Sequence, residues 1–128
     1  MGRLDGKVIS IVGAAGEDNM GQVMARRFAA EGAKVIVSGR NEAALRRLAE
    51  EIKGDWVLCD FTQKTSIYGM IDTIIERHSR LDVAVNATGW GLLVPWTEHS
   101  EKDLDDMIDL QFKGPFLWLQ KLVQTMSA

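Results

Sequence analysis

The sequence has little of what stabilises secreted proteins or anchors membrane proteins. Cys59 is the only cysteine in the 128 residues, so no intrachain disulfide can form, which fits a reducing cytoplasm. No apolar run approaches the roughly 20 residues of a membrane-spanning helix, and residues 1–6 lack the apolar core of a signal peptide. The sequence therefore predicts a cytoplasmic protein with no membrane partner.

Basic clusters and metal-ligand sets are also missing. The net charge is −3, and the pairs Arg26-Arg27 and Arg46-Arg47 fall in helical patterns, where solvated faces explain them better than a phosphate track. The two histidines do not stand with Cys, Asp or Glu at ligand spacing. The composition thus argues against a nucleic-acid partner and gives no metal site. A hydrophobic content of 46% in 128 residues suffices for one domain with its own core.

Short apolar runs alternate with amphipathic segments along the chain. The runs Val8–Val12, Val35–Val37, Trp56–Cys59 and Val83–Val85 are nearly continuous in hydrophobicity, as buried parallel strands are. Helical patterns separate them, and this alternation predicts right-handed crossovers. We expect an α/β fold, a Rossmann-type doubly wound parallel sheet of strand order 3-2-1-4, whose crevice opens between strands 1 and 4.

The helical segments carry capping and breaking residues. The first helix is expected to bury one face, made of Val23, Met24, Phe28 and Ala29. Asn41 is a plausible N-cap of the second helix. Ser100, with Asp103 three residues later, resembles a capping box at the start of a helix over residues 100–126. Gly114-Pro115 lies inside that helix and should kink it.

A glycine-rich loop follows the first apolar run and precedes the first helix. Its residues expected to hold an anion are Gly13, Gly16, Asn19, Met20 and Gly21. Gly13 allows a sharp exit from the strand, Gly21 lets the helix start lie close to the sheet, and Asn19 is a candidate N-cap. Such a unit aims backbone N–H groups at an anion, usually the pyrophosphate of a cofactor. The alternative is a purely structural turn.

The end of the second strand bears on the choice between NAD(H) and NADP(H). About twenty residues past the loop, an NAD site has Asp or Glu bound to the ribose 2′-hydroxyl. This chain has Gly39, Arg40 and Asn41 instead. An arginine holds a 2′-phosphate by charge-assisted bonds, whereas a carboxylate repels it, so NADP(H) is predicted. The alternative is that Arg40 is only a surface residue at a helix start.

Together these features resemble the short-chain dehydrogenase/reductase family, over residues 4–126 and over that family's N-terminal half. The family's Thr-Gly-x-x-x-Gly-x-Gly loop is similar to residues 12–21, with two extra residues between the outer glycines and Asn19 in place of the middle one. A longer loop of this kind resembles that of enoyl reductases. The resemblance implies that residues 1–128 form an NAD(P)-binding Rossmann domain, the cofactor-binding half of such an enzyme.

Two further segments match positions that border the cofactor in that family. The family's Asn-Asn-Ala-Gly segment is similar to residues 86–89, which implies roles for Asn86, Ala87 and Gly89. The acidic residue that contacts the adenine matches Asp60, which Phe61 follows. The alternative is that Asp60 is only an aspartate in the turn before a helix.

The family's catalytic residues are mostly not found in this chain. Family members use a tyrosine with a lysine four residues on, a serine and an asparagine. The only tyrosine, Tyr68, has Asp72 four residues later and falls in a predicted helix, so we interpret it as structural. Gln111 matches the family asparagine and is the one implied catalytic position. The alternative is a polar residue tolerated at the helix kink.

The resemblance implies an NADP(H)-dependent oxidoreductase that transfers hydride between the nicotinamide and a carbonyl or alcohol carbon of a small molecule. Residues 1–128 alone are expected to be inactive, because no tyrosine–lysine pair supplies a proton. We also expect a homo-oligomer formed through the 100–126 helix, and Trp90 and Trp96 either line the substrate cleft or pack under their loop. Two other classes stay open. One is a nucleotide-binding sensor without turnover, and the other is an interaction unit whose Trp118 and Phe116 face another subunit.

Overall fold

The sheet has the predicted strand order. The structure is a computed structural model and describes residues 2–127. Its strands are β1 (Val8–Val12), β2 (Lys34–Gly39), β3 (Asp55–Leu58) and β4 (Val83–Asn86). All pair in parallel, in the order β3-β2-β1-β4. The Rossmann-type doubly wound α/β fold is therefore confirmed, with β3 and β4 as the two edge strands.

Helices connect the strands and cover the sheet. They are α1 (Met20–Ala30), α2 (Glu42–Ile52), α3 (Lys64–His78), α4 (Glu101–Ile108) and α5 (Gly114–Met126). A short 3-10 turn, Trp96–Glu98, precedes α4. Within residues 2–127, no helix combines the length and the apolar character needed to cross a bilayer.

The sheet separates two apolar layers. On the first face, α1 and α2 pack against Ile9, Ile11, Val35 and Val37. On the second face, α3 and α5 pack against Val8, Val12 and Ile36. Successive side chains of a strand point to opposite sides, so one continuous apolar run supplies both layers.

The buried side of α1 differs from the predicted one at Val23. Met24, Phe28 and Ala29 pack against the apolar layer as predicted. Val23 is 56% exposed, whereas Gly21, Gln22 and Ala25 are buried. The cause is the close approach of Gly21 to the glycine-rich loop, where an added Cβ would lie 2.5 Å from the Gly13 carbonyl oxygen. This contact fixes the rotation of the helix, so that Ala25 faces the sheet and Val23 faces solvent.

The predicted caps are confirmed. Asn41 Oδ1 accepts a hydrogen bond from the N–H of Ala44 at 3.1 Å, at the start of α2. Ser100 and Asp103 form a reciprocal capping box at the start of α4. Each cap satisfies backbone N–H groups that have no partner within the helix.

The predicted break in the last helix takes the form of a π-helical segment. Residues Asp109–Lys113 separate α4 from α5, and the N–H of Gly114 donates to the carbonyl of Asp109, five residues earlier. Pro115 follows and has no N–H to donate. Because Pro115 has no N–H to donate, the wider hydrogen-bonding pattern ends at Lys113 and Gly114.

Trp118 does not face outward as the interaction hypothesis assumed. It is 6% exposed and lies on the second face, with its ring edge-to-face against Phe61 at 5.9 Å between centroids. Phe116 is 59% exposed. The two residues are two positions apart on α5 and therefore point to different sides of the helix.

Candidate functional site

A cleft of about 680 Å³ lies at the carboxyl ends of the strands. The glycine-rich loop, the residues after β2, β3 and β4, and one side of α4 form its walls. The predicted site residues that line it are Gly13, Gly16, Asn19, Gly39, Arg40, Asp60, Phe61, Ala87 and Gly89. Those that do not line it are Met20, Gly21, Asn41, Asn86 and Gln111. The crevice between β1 and β4 is the place where ligands bind in open parallel sheets.

Two glycines allow the loop to lie close to its neighbours. Gly13 has φ = +94°, and a Cβ there would lie 2.5 Å from the Ala87 carbonyl carbon, beyond the end of β4. Gly21 packs against Gly13 in turn, as described above. No side chain fits at either position, which leaves the loop backbone exposed to the cleft between β1 and β4.

Side chains of α1 hold the loop in shape. Asn19 Oδ1 accepts from the N–H of Gln22 at 2.9 Å, and Asn19 Nδ2 donates to the Gly13 carbonyl at 2.9 Å. The buried side chain of Gln22 donates to the Ala14 carbonyl at 3.1 Å. Asn19 thus caps α1 and closes the loop at the position of the family's middle glycine.

The loop keeps free donors for a ligand. Within residues 2–127, the backbone N–H groups of Ala15, Gly16 and Glu17 donate to no protein acceptor. Such donors beside a helix N-terminus suit an anion. The free backbone donors of this loop therefore fit the pyrophosphate of a dinucleotide.

The ends of β3 and β4 carry the same side-chain turn. Asp60 Oδ1 accepts from the N–H and the hydroxyl of Thr62, at 3.0 and 2.6 Å. Asn86 Oδ1 accepts from the same two groups of Thr88, also at 3.0 and 2.6 Å. Asn86 therefore shapes the turn from behind the cleft wall, whereas Asp60 is itself part of the wall.

Asp60 places an ionised carboxylate in the cleft wall. The Thr62 hydroxyl, the Thr62 N–H and the charge of Arg40 hold the pKa of Asp60 below its ordinary value, against the opposing effect of partial burial. Asp60 is consequently charged at neutral pH, with the exposed Arg40 on the same cleft. Asn41 is not part of this wall, because its side chain is used to cap α2.

Gln111 contacts a backbone group and not the cleft. Its Nε2 donates to the Trp90 carbonyl at 2.9 Å, which ties the π-helical segment to the loop after β4. The Trp90 side chain lines the cleft, whereas Trp96 is 87% exposed and does not.

Tyr68 lies away from the cleft on α3. The ammonium groups of Lys64 and Lys121 each lie 5.3 Å from its ring centre, and its hydroxyl is 3.3 Å from Gln120 Oε1. These contacts join α3 to α5, so the interpretation of Tyr68 as structural agrees with its position.

The last wall of the cleft, formed by α4 and the π-helical segment, was not predicted from the sequence. Lys102, Asp106, Asp109 and Leu110 line it, and Lys102 Nζ pairs with Asp106 Oδ2 at 2.6 Å. The charged positions recur at i, i+4 and i+7, which is one side of a helix, and this spacing was the available signal. Cys59 also lines the cleft, and burial raises the pKa of its thiol to about 11, so the thiol is neutral and unreactive.

A parallel sheet of order 3-2-1-4, with a glycine-rich loop at its crevice, defines a Rossmann-type nucleotide-binding architecture. Residues 13–128 match the family model described as enoyl-(acyl carrier protein) reductase. The chain belongs to the short-chain dehydrogenase/reductase family.

Curated relatives agree with this assignment. The chain is 35% identical over 121 residues to a hexahydroindene-carboxyl-CoA reductase of Mycobacterium tuberculosis, covering 90% of this chain and 46% of the relative. It is 34% identical over 133 residues to a 3beta-hydroxysteroid dehydrogenase of Mediterraneibacter gnavus, covering 99% and 48%. The chain thus spans about half the length of the curated relatives it matches.

Solved structures give the same picture. A short chain dehydrogenase from Mycobacterium smegmatis superposes with a TM-score of 0.89 at 27% identity, over 95% of this chain and 52% of the other. An actinorhodin polyketide ketoreductase solved with NADPH gives a TM-score of 0.88 at 25% identity, over 98% and 49%.

Proposed function

We propose that the cleft binds NADP(H), and that residues 1–128 are the cofactor-binding half of an oxidoreductase acting on a carbonyl or alcohol. The observation that carries the proposal is the convergence on one cleft of the glycine-rich loop, Gly39-Arg40 and Asp60. When bound, the cofactor supplies or accepts a hydride at the nicotinamide. We also expect the protein to be cytoplasmic, in keeping with its single, buried cysteine.

Each wall of the cleft has a part in this proposal. The free N–H groups of Ala15–Glu17 and the start of α1 bind the pyrophosphate, with Gly13 and Gly21 giving it room and Met20 contributing its N–H in the first turn. Asp60 and Phe61 border the adenine, and Ala87 and Gly89 form the wall toward the nicotinamide, in a turn that the Asn86 side chain holds. These roles follow the family resemblance and the positions of the residues in the cleft.

Arg40 is the proposed ligand of the 2′-phosphate. It follows β2 with Gly39, at a place where NAD-specific sites have an acid. Asn41 supports it from the start of α2. A guanidinium at this rim favours the additional negative charge of NADP(H) over the neutral 2′-hydroxyl of NAD(H).

The proposed role of Gln111 is to position the loop after β4. Its hydrogen bond to the Trp90 carbonyl fixes the segment that begins the substrate side of the cleft. No tyrosine–lysine pair occurs in the sequence, so proton transfer to the substrate requires residues outside positions 1–128.

We further propose that two copies of the protein associate through the outer side of α4 and α5. That side exposes Leu104, Ile108, Phe112, Phe116, Leu119 and Val123. The exposed acidic residue Asp105 lies on α4, whereas the exposed basic residue Lys113 lies at the end of the π-helical segment. An antiparallel, two-fold arrangement would therefore bring opposite charges together.

Cofactor preference is the sharpest test of this function. NADPH and NADH are titrated into the intact protein, into Arg40→Ala and into Arg47→Ala, a control that removes an exposed arginine of α2 outside the cleft. NADPH should bind more tightly than NADH. Arg40→Ala should lose about ten- to a hundredfold for NADPH alone, the effect of one charge-assisted contact. Equal affinities in the unmutated protein would refute the NADP(H) preference.

Enzymatic turnover tests whether catalysis requires residues outside positions 1–128. NADPH oxidation is measured against a panel of ketones and enones for residues 1–128 and for a longer form that continues into a Tyr-x-x-x-Lys segment. The longer form should be active and the shorter one inactive. Turnover by residues 1–128, free of longer protein, contradicts the proposal. NADPH binding without any turnover by the longer form favours a sensor.

A further inference from the structure

The glycine-rich loop contains two acidic residues, which is unusual for a proposed pyrophosphate site. Glu17 and Asp18 lie between Gly16 and Asn19. Asp18 has a left-handed backbone with φ = +50°, a conformation that Asp and Asn adopt more readily than other side chains. Its N–H donates to Gln22 Oε1 at 3.1 Å, so its place in the loop is fixed.

Arg26 of α1 binds this part of the loop from the solvent side. Its Nη1 lies 3.1 Å from Asp18 Oδ1, and its Nη2 donates to Gln22 Oε1 at 3.4 Å. Its Nε donates to Glu51 Oε2 of α2 at 2.6 Å. One guanidinium therefore joins the loop, α1 and α2.

We propose that Arg26 assists the cofactor site through its charge. It cancels the negative charge that Asp18 brings to the phosphate-binding loop. The inference rests on the proposed function, because it concerns the same cofactor. The sequence motif contains neither residue: Asp18 falls among the two additional loop positions, and Arg26 lies on the helix beyond the loop.

The effect belongs to ligand binding more than to folding. Asp18 and Arg26 are both partly solvent-exposed, and exposed ion pairs contribute little to stability. A phosphate ligand at the loop nevertheless lies within a Debye length of both charges. Removing Arg26 leaves the Asp18 carboxylate uncompensated, and Coulomb repulsion over this range weakens binding by about fivefold at low salt.

The test is a double-mutant cycle with Arg26→Gln, Asp18→Asn and the double variant. Asn keeps the left-handed backbone and removes only the charge. Arg27→Gln is the matched control: it removes the same charge from the next residue, whose partner is Glu31 at the far end of α1, 2.8 Å away. NADPH and NADH are titrated into each protein at low and high salt, and melting curves check folding.

If Arg26 acts through charge, Arg26→Gln binds both cofactors about fivefold more weakly, and the loss disappears at high salt. Asp18→Asn binds at least as tightly as the unmutated protein, and the double variant recovers its affinity. The loss must be equal for NADPH and NADH, since both carry the pyrophosphate, which separates it from the effect of Arg40.

Other outcomes overturn the inference. Unchanged affinity of Arg26→Gln does so, as does weak binding by Asp18→Asn that the double variant fails to repair, because Arg26 would then act through loop geometry. Should Arg26→Gln fail to fold, Asp18→Asn decides alone: tighter binding supports the inference and weaker binding refutes it. Failure of the unmutated protein to bind either cofactor refutes the proposed function itself.

Discussion

The two faces of the sheet differ in their buried polar groups. On the first face, α1 and α2 enclose an apolar layer in which Leu45 is fully buried. On the second face, the indole N–H of Trp118 and the hydroxyl of Ser38 are buried without a partner within residues 2–127. Ser38 follows Val37 on β2, and the alternation of the strand therefore turns it toward the second face.

The helices that cover the two faces also differ. The helix α2 is amphipathic, with a buried side and a charged side. The helix α5 also exposes large apolar residues, because Phe116 and Val123 face solvent while Trp118 and Leu122 are buried. The exposed apolar side of α5 is the surface through which we propose that two copies associate.

The largest effect is expected where α5 meets the cleft wall. A Cβ added at Gly114 would overlap the carbonyl oxygen of Phe61, so Gly114→Ala should cost up to about 3 kcal/mol of unfolding free energy and weaken NADPH binding. Gly69→Ala, on α3, is the matched control, because its Cβ meets nothing within 4 Å. It should stabilise the protein by up to about 1 kcal/mol. Equal effects of the two changes in chemical denaturation contradict the tight packing of α5.

Self-association should depend on the exposed apolar residues of α5 and not on those of α1. Phe116→Glu places a charge on the exposed side of α5 and should weaken self-association by about tenfold or more, as loss of a buried Phe does. Val23→Glu makes the same change at an exposed apolar residue of α1 and should leave association unchanged. Sedimentation over a range of concentrations measures both. If the unmutated protein is purely monomeric, the proposed association of two copies through α5 is wrong.

The smallest effect concerns the end of the second face that is remote from the cleft. Asp55 opens β3 and accepts hydrogen bonds from His78 and Arg77 of α3. Partial burial raises the pKa of Asp55, but the bonds from His78, the Trp56 N–H and Arg77 outweigh it, and the net pKa lies below the ordinary 3.8. The carboxylate therefore stabilises the fold above that ordinary value, and this stabilisation is lost as the pH falls through the lowered pKa.

Asp55→Asn should accordingly cost about 1 kcal/mol near neutral pH, with the difference from the unmutated protein shrinking below about pH 4. Asp72→Asn serves as the control, because Asp72 is an exposed residue of the same helix α3 and pairs with Lys121 of α5. Thermal melts at a series of pH values measure both. A difference that is independent of pH would mean that the ionised form of Asp55 contributes nothing.

Local patterns predicted most of the fold and every wall of the cleft except the one that α4 and the π-helical segment form. Strand order follows from the alternation of apolar runs and helices, and the caps at Asn41 and Ser100 follow from neighbouring residues. The exposure of Val23 and the burial of Trp118 depend instead on how each helix is rotated against its neighbours. Close contacts at Gly21 and Gly114 set that rotation. Their partners are distant in sequence or reached through a turn, so the periodicity of the sequence does not indicate them.

The same limit applies to the cleft. The glycine-rich loop and the residues after β2 and β3 are read from short segments, so the sequence placed most of them correctly on the cleft. The wall formed by Lys102 and Asp106 arises because α4 returns across the open end of the sheet, after a long loop. The contact of Gln111 with the Trp90 carbonyl, 21 residues earlier, has the same origin.

The π-helical segment also sets the angular phase of everything that follows it. Each residue of an α-helix advances roughly 100° around the axis, and the wider turn at Asp109–Lys113 accommodates one residue more than an α-helical turn does. Gln111 can therefore point to the loop after β4 while Trp118 still points to Phe61. The segment therefore sets the rotation of α5 relative to α4, and one continuous helix contacts the loop after β4 through Gln111 and the cleft residue Phe61 through Trp118.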